Sequence, residues 1–172
     1  MLKPQDIVVL CKLAGREEPW TIASIGHELG LSPSAVHRSL ERAETSHLFE
    51  GRSRRVNARA LDELLVHAVR FLLPGRMSGP TRGIATAWSA EPLIGRMGRI
   101  DEDPVVWAHP EGPDRGIELE PIHACAPAAA LRDPQLRARL ALVDALRIGG
   151  ARVRREAQTA LTASLGGARE PG

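Results

Sequence analysis

Trp20 to Leu40 reads WTIASIGHELGLSPSAVHRSL, and its residues predict two short helices meeting at a sharp turn. The first helix runs from about Ile22 to Leu29 and stops at Gly30, since glycine takes the left-handed conformation that ends a helix without strain. Ser32 offers a hydroxyl to cap the second helix, and Pro33 suits its first turn, where a missing N–H leaves no bond unmade. Ile22, Ile25, Leu29, Leu31, Val36 and Leu40 fall where two steeply crossing helices must bury side chains. Gly26 lies at the close approach, at a cost of up to about 1 kcal/mol in helix propensity relative to alanine. His37 and Arg38 face outward.

The flanks extend this unit in both directions. Upstream, Ile7, Leu10, Cys11 and Ala14 share one helical face ending at Gly15, so a supporting helix from about Pro4 lets three helices close a small core. Downstream, Leu48 and Phe49 lead into Glu50, Gly51, Arg52, Ser53, Arg54, Arg55 and Val56: an apolar strand, a basic turn with a glycine, and a return strand. Such a turn is either a wing whose arginines lie along a phosphate backbone and displace counterions, or a solvated loop.

Together these parts resemble the winged helix-turn-helix transcriptional regulators, most nearly the MarR-like ones, over about residues 1 to 72. The resemblance implies that Ser32, Ser34, His37 and Arg38 face the major groove of double-stranded DNA, with Arg42 at the helix end and Arg52, Arg54 and Arg55 on the wing. Arg38 is the best base reader among them, because its planar fork can take guanine O6 and N7 together, worth roughly 1 to 3 kcal/mol of discrimination. Glu41 and Glu44 would oppose phosphate unless turned away. MarR-like proteins place a dimerisation helix ahead of the DNA-binding unit. Here the supporting helix starts near Pro4, so a dimer contact is expected later in the chain. Asn57 caps a long amphipathic helix to about Leu73, whose face of Leu61, Leu64, Leu65, Ala68, Val69 and Leu72 either completes the core or pairs two subunits.

Composition narrows the class without deciding it. The chain has 172 residues, 43% of them hydrophobic, enough for one domain or a small pair. Its net charge of +2 is too small to argue nucleic-acid binding from bulk electrostatics, so the positions of the arginines carry that argument. Residues 73 to 125 are acidic and the remainder to the C-terminus basic. No apolar run approaches a membrane span and no secretion signal opens the sequence, which gives the expectation of a cytoplasmic protein away from membranes. Two isolated cysteines, Cys11 and Cys125, make no disulfide framework.

Beyond Leu73, Pro74 and Gly75 break the helix, and Gly79, Pro80, Thr81, Arg82 and Gly83 read as a loop that either holds a linker or offers Arg82 to an anion or partner. Its glycine spacing is not that of a phosphate loop. Val105 to Trp107 and Ile117 to Ile122 alternate around a turn-rich Pro110 to Gly116, which predicts a β-hairpin in acidic surroundings. His109, His123 and Cys125 are metal-ligand types but lack any paired spacing, so no metal and no cofactor is expected.

Asp133 and Pro134 start a further helix with Leu136, Leu140, Val143 and Leu146 at helical spacing. After Gly149 and Gly150 a second follows, with Val153, Ala157, Leu161 and Leu165 in a stripe. These helices could supply the dimer interface, fold back on the long helix, or dock a partner. The middle and tail resemble extensions of bacterial winged-helix regulators, some encoded beside nucleotidyltransferase-type toxins, which would imply an antitoxin-like autorepressor.

The expected architecture is therefore mainly α with small β: a winged helix-turn-helix over residues 1–73, a linker with a β-hairpin over 74–132, two helices over 133–166 for dimerisation or partner docking, and a flexible tail over 167–172. The expected function is that of a sequence-specific DNA-binding regulator, a repressor acting as a homodimer. A module that binds a partner protein through the extension is the alternative. An enzyme is not expected, because no nucleophile elbow, paired-carboxylate segment or metal motif is present.

Overall fold

A computed structural model describes residues 1–166 of the chain, so the expected tail over 167–172 lies outside the described residues. The protein is mainly α with two small β units. Helices α1 (Pro4–Leu13), α2 (Ile22–Leu29) and α3 (Pro33–Thr45) come first, followed by strands β1 (Phe49–Glu50) and β2 (Arg55–Val56), paired antiparallel.

Local chemistry fixes these boundaries. The Thr21 hydroxyl caps α2 by accepting from the Ser24 amide at 2.9 Å, and Gly30 ends the helix at φ 67°. Ser32 caps α3 by accepting from the Ala35 amide at 3.2 Å, with Pro33 behind it. Gly26 has a clear steric reason: a Cβ there would stand 2.7 Å from the Leu31 carbonyl oxygen, so the turn between α2 and α3 closes only over a bare Cα.

The helix expected from Asn57 to Leu73 is in fact two. Asn57 caps α4 (Ala58–His67), but Ala68 leaves helical geometry at φ −121°, and a single turn, α5 (Val69–Leu72), follows it. Leu61, Leu65 and Val69 stay buried, whereas Leu72, expected on the apolar face, is 63% exposed beside Phe71 at 68%.

The middle of the chain departs furthest from expectation. The segment containing Gly79 to Gly83 is no loop but part of a long strand, β3 (Met77–Ala85). The expected β-hairpin is not formed either: β4 (Val105–Ala108) and β5 (Asp114–Leu119) each pair antiparallel with β3 and parallel with each other, closing a three-stranded barrel. Alternation shows that two segments are strands but says nothing of their partner, and β3 takes the antiparallel position that a hairpin would have filled. The turn after β4 crosses the β3 backbone at its narrowest place. A Cβ on Gly112 would lie 2.1 Å from the Gly83 carbonyl oxygen, and one on Gly83 would lie 1.9 Å from that of Trp107. A short 3-10 turn (Ala87–Ser89) and helix α6 (Leu93–Met97) fill the excursion between β3 and β4.

Three helices follow among the described residues: α7 (Ala126–Arg132), which the sequence reading missed, then α8 (Pro134–Ile148) and α9 (Ala151–Leu165). Helix α8 is buried along most of its length, from Leu136 through Leu146, because it is packed from several sides. One continuous apolar cluster joins Ile7 and Leu40 of the first helices to Leu65, Trp107, Leu142 and Leu161. Helix α9 folds back beside α4, where the Thr162 hydroxyl donates to Asp62 at 2.7 Å.

Two polar groups on α8 knit this core. Buried Arg139 donates to the Cys11 and Ala14 carbonyls at the end of α1 and to the Ser164 carbonyl and hydroxyl near the end of α9. It thereby satisfies carbonyls that helix ends leave unpaired. Asp144, equally buried, accepts from Thr86, from the Trp107 indole and from Arg147, while Arg147 reaches the Leu73 carbonyl at 2.8 Å. That chain ties the barrel, α8 and the segment after α5 together. No described helix is long and apolar enough to cross a membrane.

Candidate nucleic-acid interface

Helix α3 is bipartite by sequence. Val36, Ser39, Leu40 and Ala43 are buried against the core, which turns His37 and Arg38 outward. Gln5 on α1 donates to the Ala35 carbonyl and the Ser39 hydroxyl, clamping the buried face.

The sequence-predicted residues divide into those left exposed and those held by other groups. Arg38 and Arg52 are exposed and make no hydrogen bond or ion pair among the described residues. Arg55, also exposed, stands on β2 opposite Glu50. His37 is exposed, with its Nε2 3.5 Å from the Glu41 carboxylate one turn on. Ser32 and Ser34 sit at the exposed helix start, their hydroxyls 3.2 Å apart, and Ser32 has the second task of capping.

Arg54 and Arg42 are held by other groups. Arg54 adopts φ 57°, lies over the Trp20 ring with its guanidinium carbon 4.0 Å from the centroid, and donates to the Trp20 carbonyl at 3.1 Å. Arg42 turns inward to the Asp6 carboxylate, donating at 2.8 and 2.6 Å. That hydrogen bonding raises the Arg42 pKa above the ordinary guanidinium value. Its role is to join α3 to α1. Both partners were missed in the sequence. Asp6 gives a faint signal, an acidic residue in the first turn of a helix where its carboxylate also accepts from the Lys3 amide. Trp20 gives none.

Glu44, whose charge stood against a phosphate, is turned toward the hairpin and accepts from the Gly51 amide at 3.1 Å. The end of α3 and the tip of β1–β2 are thus fastened to each other, while Trp20 packs on Phe49 and Arg54 from the other side. Exposed Arg38 on α3 and the arginines of the hairpin are carried on elements that these contacts join.

A charged knot joins α1, α2 and the start of α8. Lys12 meets Glu28 at 2.7 Å and also bonds Asp133, and Arg16 meets Glu28 at 3.0 Å. The Arg16 hydrogen bond, followed by that of Lys12, holds the Glu28 carboxyl below its usual range.

The metal-ligand types do not converge. His109 Nδ1 accepts from the Glu111 amide, whereas His123 Nδ1 and Cys125 Sγ lie 3.0 Å apart. Burial pushes the Cys125 thiol up to about 11 and draws His123 down, so this pair is a neutral contact and holds no activated thiolate. No group of three metal-ligating side chains occurs among the described residues. No family model, curated protein or solved structure matches this chain.

Proposed function

We propose that residues 1–73 act as a winged helix-turn-helix of MarR-like type, that the protein is a sequence-specific regulator of transcription binding double-stranded DNA, and that it is a repressor working as a homodimer. The observation that carries this reading is the hydrogen bond from the Gly51 amide to Glu44, which ties the hairpin bearing Arg52, Arg54 and Arg55 to the helix bearing exposed Arg38. Exposed cations without internal partners suit phosphate and base edges. In this reading Arg38 takes a guanine edge, Ser32, Ser34 and His37 lie along the groove, and Arg52 and Arg55 contact phosphates.

The homodimer follows from the need for two half-sites about one helical turn apart. Its support in the chain is the exposed pair Phe71 and Leu72 on α5, an apolar patch beyond the core.

The test is duplex binding to the chain's own promoter DNA across a salt series. A steep loss of affinity with rising salt is expected, and each of Arg52→Ala and Arg55→Ala should reduce the slope of log affinity against log salt by about 0.9. Arg38→Ala should instead relax sequence preference. Binding that is absent or independent of salt removes the regulator reading.

A further inference from the structure

A cleft of about 1280 Å³ opens between the barrel and α6, lined by none of the residues of the basic face. Part of its wall is apolar, formed by Trp88, Ile94 and Ile117, and Ile94 is 46% exposed despite its size. Around it stand four carboxylates: Asp101, Glu102 and Asp103 on the segment before β4, and Asp114 at the start of β5. None of the four forms an ion pair among the described residues, and only two arginines, Arg99 and Arg115, share the lining.

The acidic segment is fixed to the apolar wall, since the Trp88 indole donates to the Asp103 carbonyl at 3.1 Å. That bond uses backbone, leaving the Asp103 carboxylate free. Asp114 accepts from the Ala85 amide through one oxygen at 3.1 Å. Carboxylates without ion-pair partners beside an apolar wall give the cleft a negative potential next to an apolar surface. Ordinary ligand pockets measure roughly 300–1,000 Å³, so the space here admits a bulky guest.

We propose that this cleft binds an amphipathic organic cation, its apolar body against Trp88, Ile94 and Ile117 and its positive centre toward Asp101, Glu102 and Asp103. The proposal stands on the cleft alone and is independent of DNA binding. Calorimetric titration of the full chain with tetraphenylphosphonium, and with tetraphenylborate as an anion of the same shape, tests it. One-to-one binding of the cation is expected, with the borate at least tenfold weaker. The triple variant Asp101→Asn, Glu102→Gln, Asp103→Asn should weaken the cation at least tenfold, and Ile94→Asn should weaken it as well. The remote pair Glu17→Gln, Glu18→Gln should leave it unchanged. No binding of the cation, equal binding of the two ions, indifference to the triple variant or to Ile94→Asn, or an equal loss in the remote pair would overturn the assignment.

Discussion

The Asp6 carboxylate grips the Arg42 guanidinium with two hydrogen bonds, 2.8 Å from Nε and 2.6 Å from Nη2, at a point where Asp6 is fully buried. This pair converts an arginine that resembles a DNA contact into the joint between α1 and α3. Removing either partner leaves the other with its charge uncompensated. Arg42→Ala leaves the buried Asp6 carboxylate unpaired and should lower stability by roughly 3 to 5 kcal/mol, whereas Asp6→Ala leaves a partly exposed guanidinium and should cost less. The double variant should lose less than the sum, measured by urea unfolding as a double-mutant cycle. Arg42→Ala should leave the salt slope of DNA binding unchanged wherever the protein remains folded.

Arg139 offers a second stability test. It is 1% exposed and makes four hydrogen bonds to the ends of α1 and α9, and burial draws its pKa down. Arg139→Met keeps much of the length but abandons three carbonyls, at an expected cost of about 3 kcal/mol or more in chemical denaturation. Arg139→Lys should rescue little, because an ammonium cannot span both helix ends as the planar fork does.

Two glycines of β3 should behave oppositely. Gly79→Ala meets nothing within 4 Å and should change stability by no more than about 0.5 kcal/mol. Gly83→Ala drives a methyl into the Trp107 backbone and should prevent the barrel from closing. The Trp107 indole bond to Asp144 would be lost with it, visible as a shift in tryptophan emission.

Acid should loosen the charged knot that joins α1, α2 and the start of α8. Glu28 is lowered by Arg16 first and Lys12 next. At Asp133, burial pushes the carboxyl up, but the bonds from Lys12 and the Leu136 amide outweigh it, so it too ends below its usual value. The unfolded chain therefore binds protons more readily than the folded one. The stability these groups add is present above their ordinary values of about 4 and is lost as pH falls through the lower folded values. Urea midpoints between pH 5 and pH 3 should fall, and Lys12→Met should flatten that fall.

Phe71 and Leu72 should control assembly. Replacing both by glutamate is expected to convert a dimer to a monomer in sedimentation equilibrium while leaving the circular dichroism spectrum intact, since neither side chain belongs to the core. A wild-type chain that sediments as a monomer at micromolar concentration would count against the dimer.

Many helix ends were legible because their signals are local. Gly30, Ser32, Pro33, Asn57 and Asp133 each act within one turn of their own backbone, so reading the residues in order places the helix ends. The break at Ala68 carried no such mark, because Leu61 to Leu72 keeps helical spacing across it. The barrel was hidden for a related reason. The spacing of Gly79 to Gly83 suggests a turn, yet Gly83 is required by the close passage of Gly112 and Trp107, residues far along the chain.

The same division runs through the candidate site. The order of residues shows that α3 has a buried face and an outward one carrying His37 and Arg38, because burial repeats with the helical period. It also determined that arginines cluster on the turn after Phe49. Only the tertiary structure decided which of those charges remain available. Arg38 and Arg52 are left free, Arg54 is laid over Trp20, and Arg42 is claimed by Asp6. The physical reason is that caps and periodicity act over a few residues, whereas an ion pair or a stacked ring is fixed by whichever distant side chain the fold brings within about 4 Å.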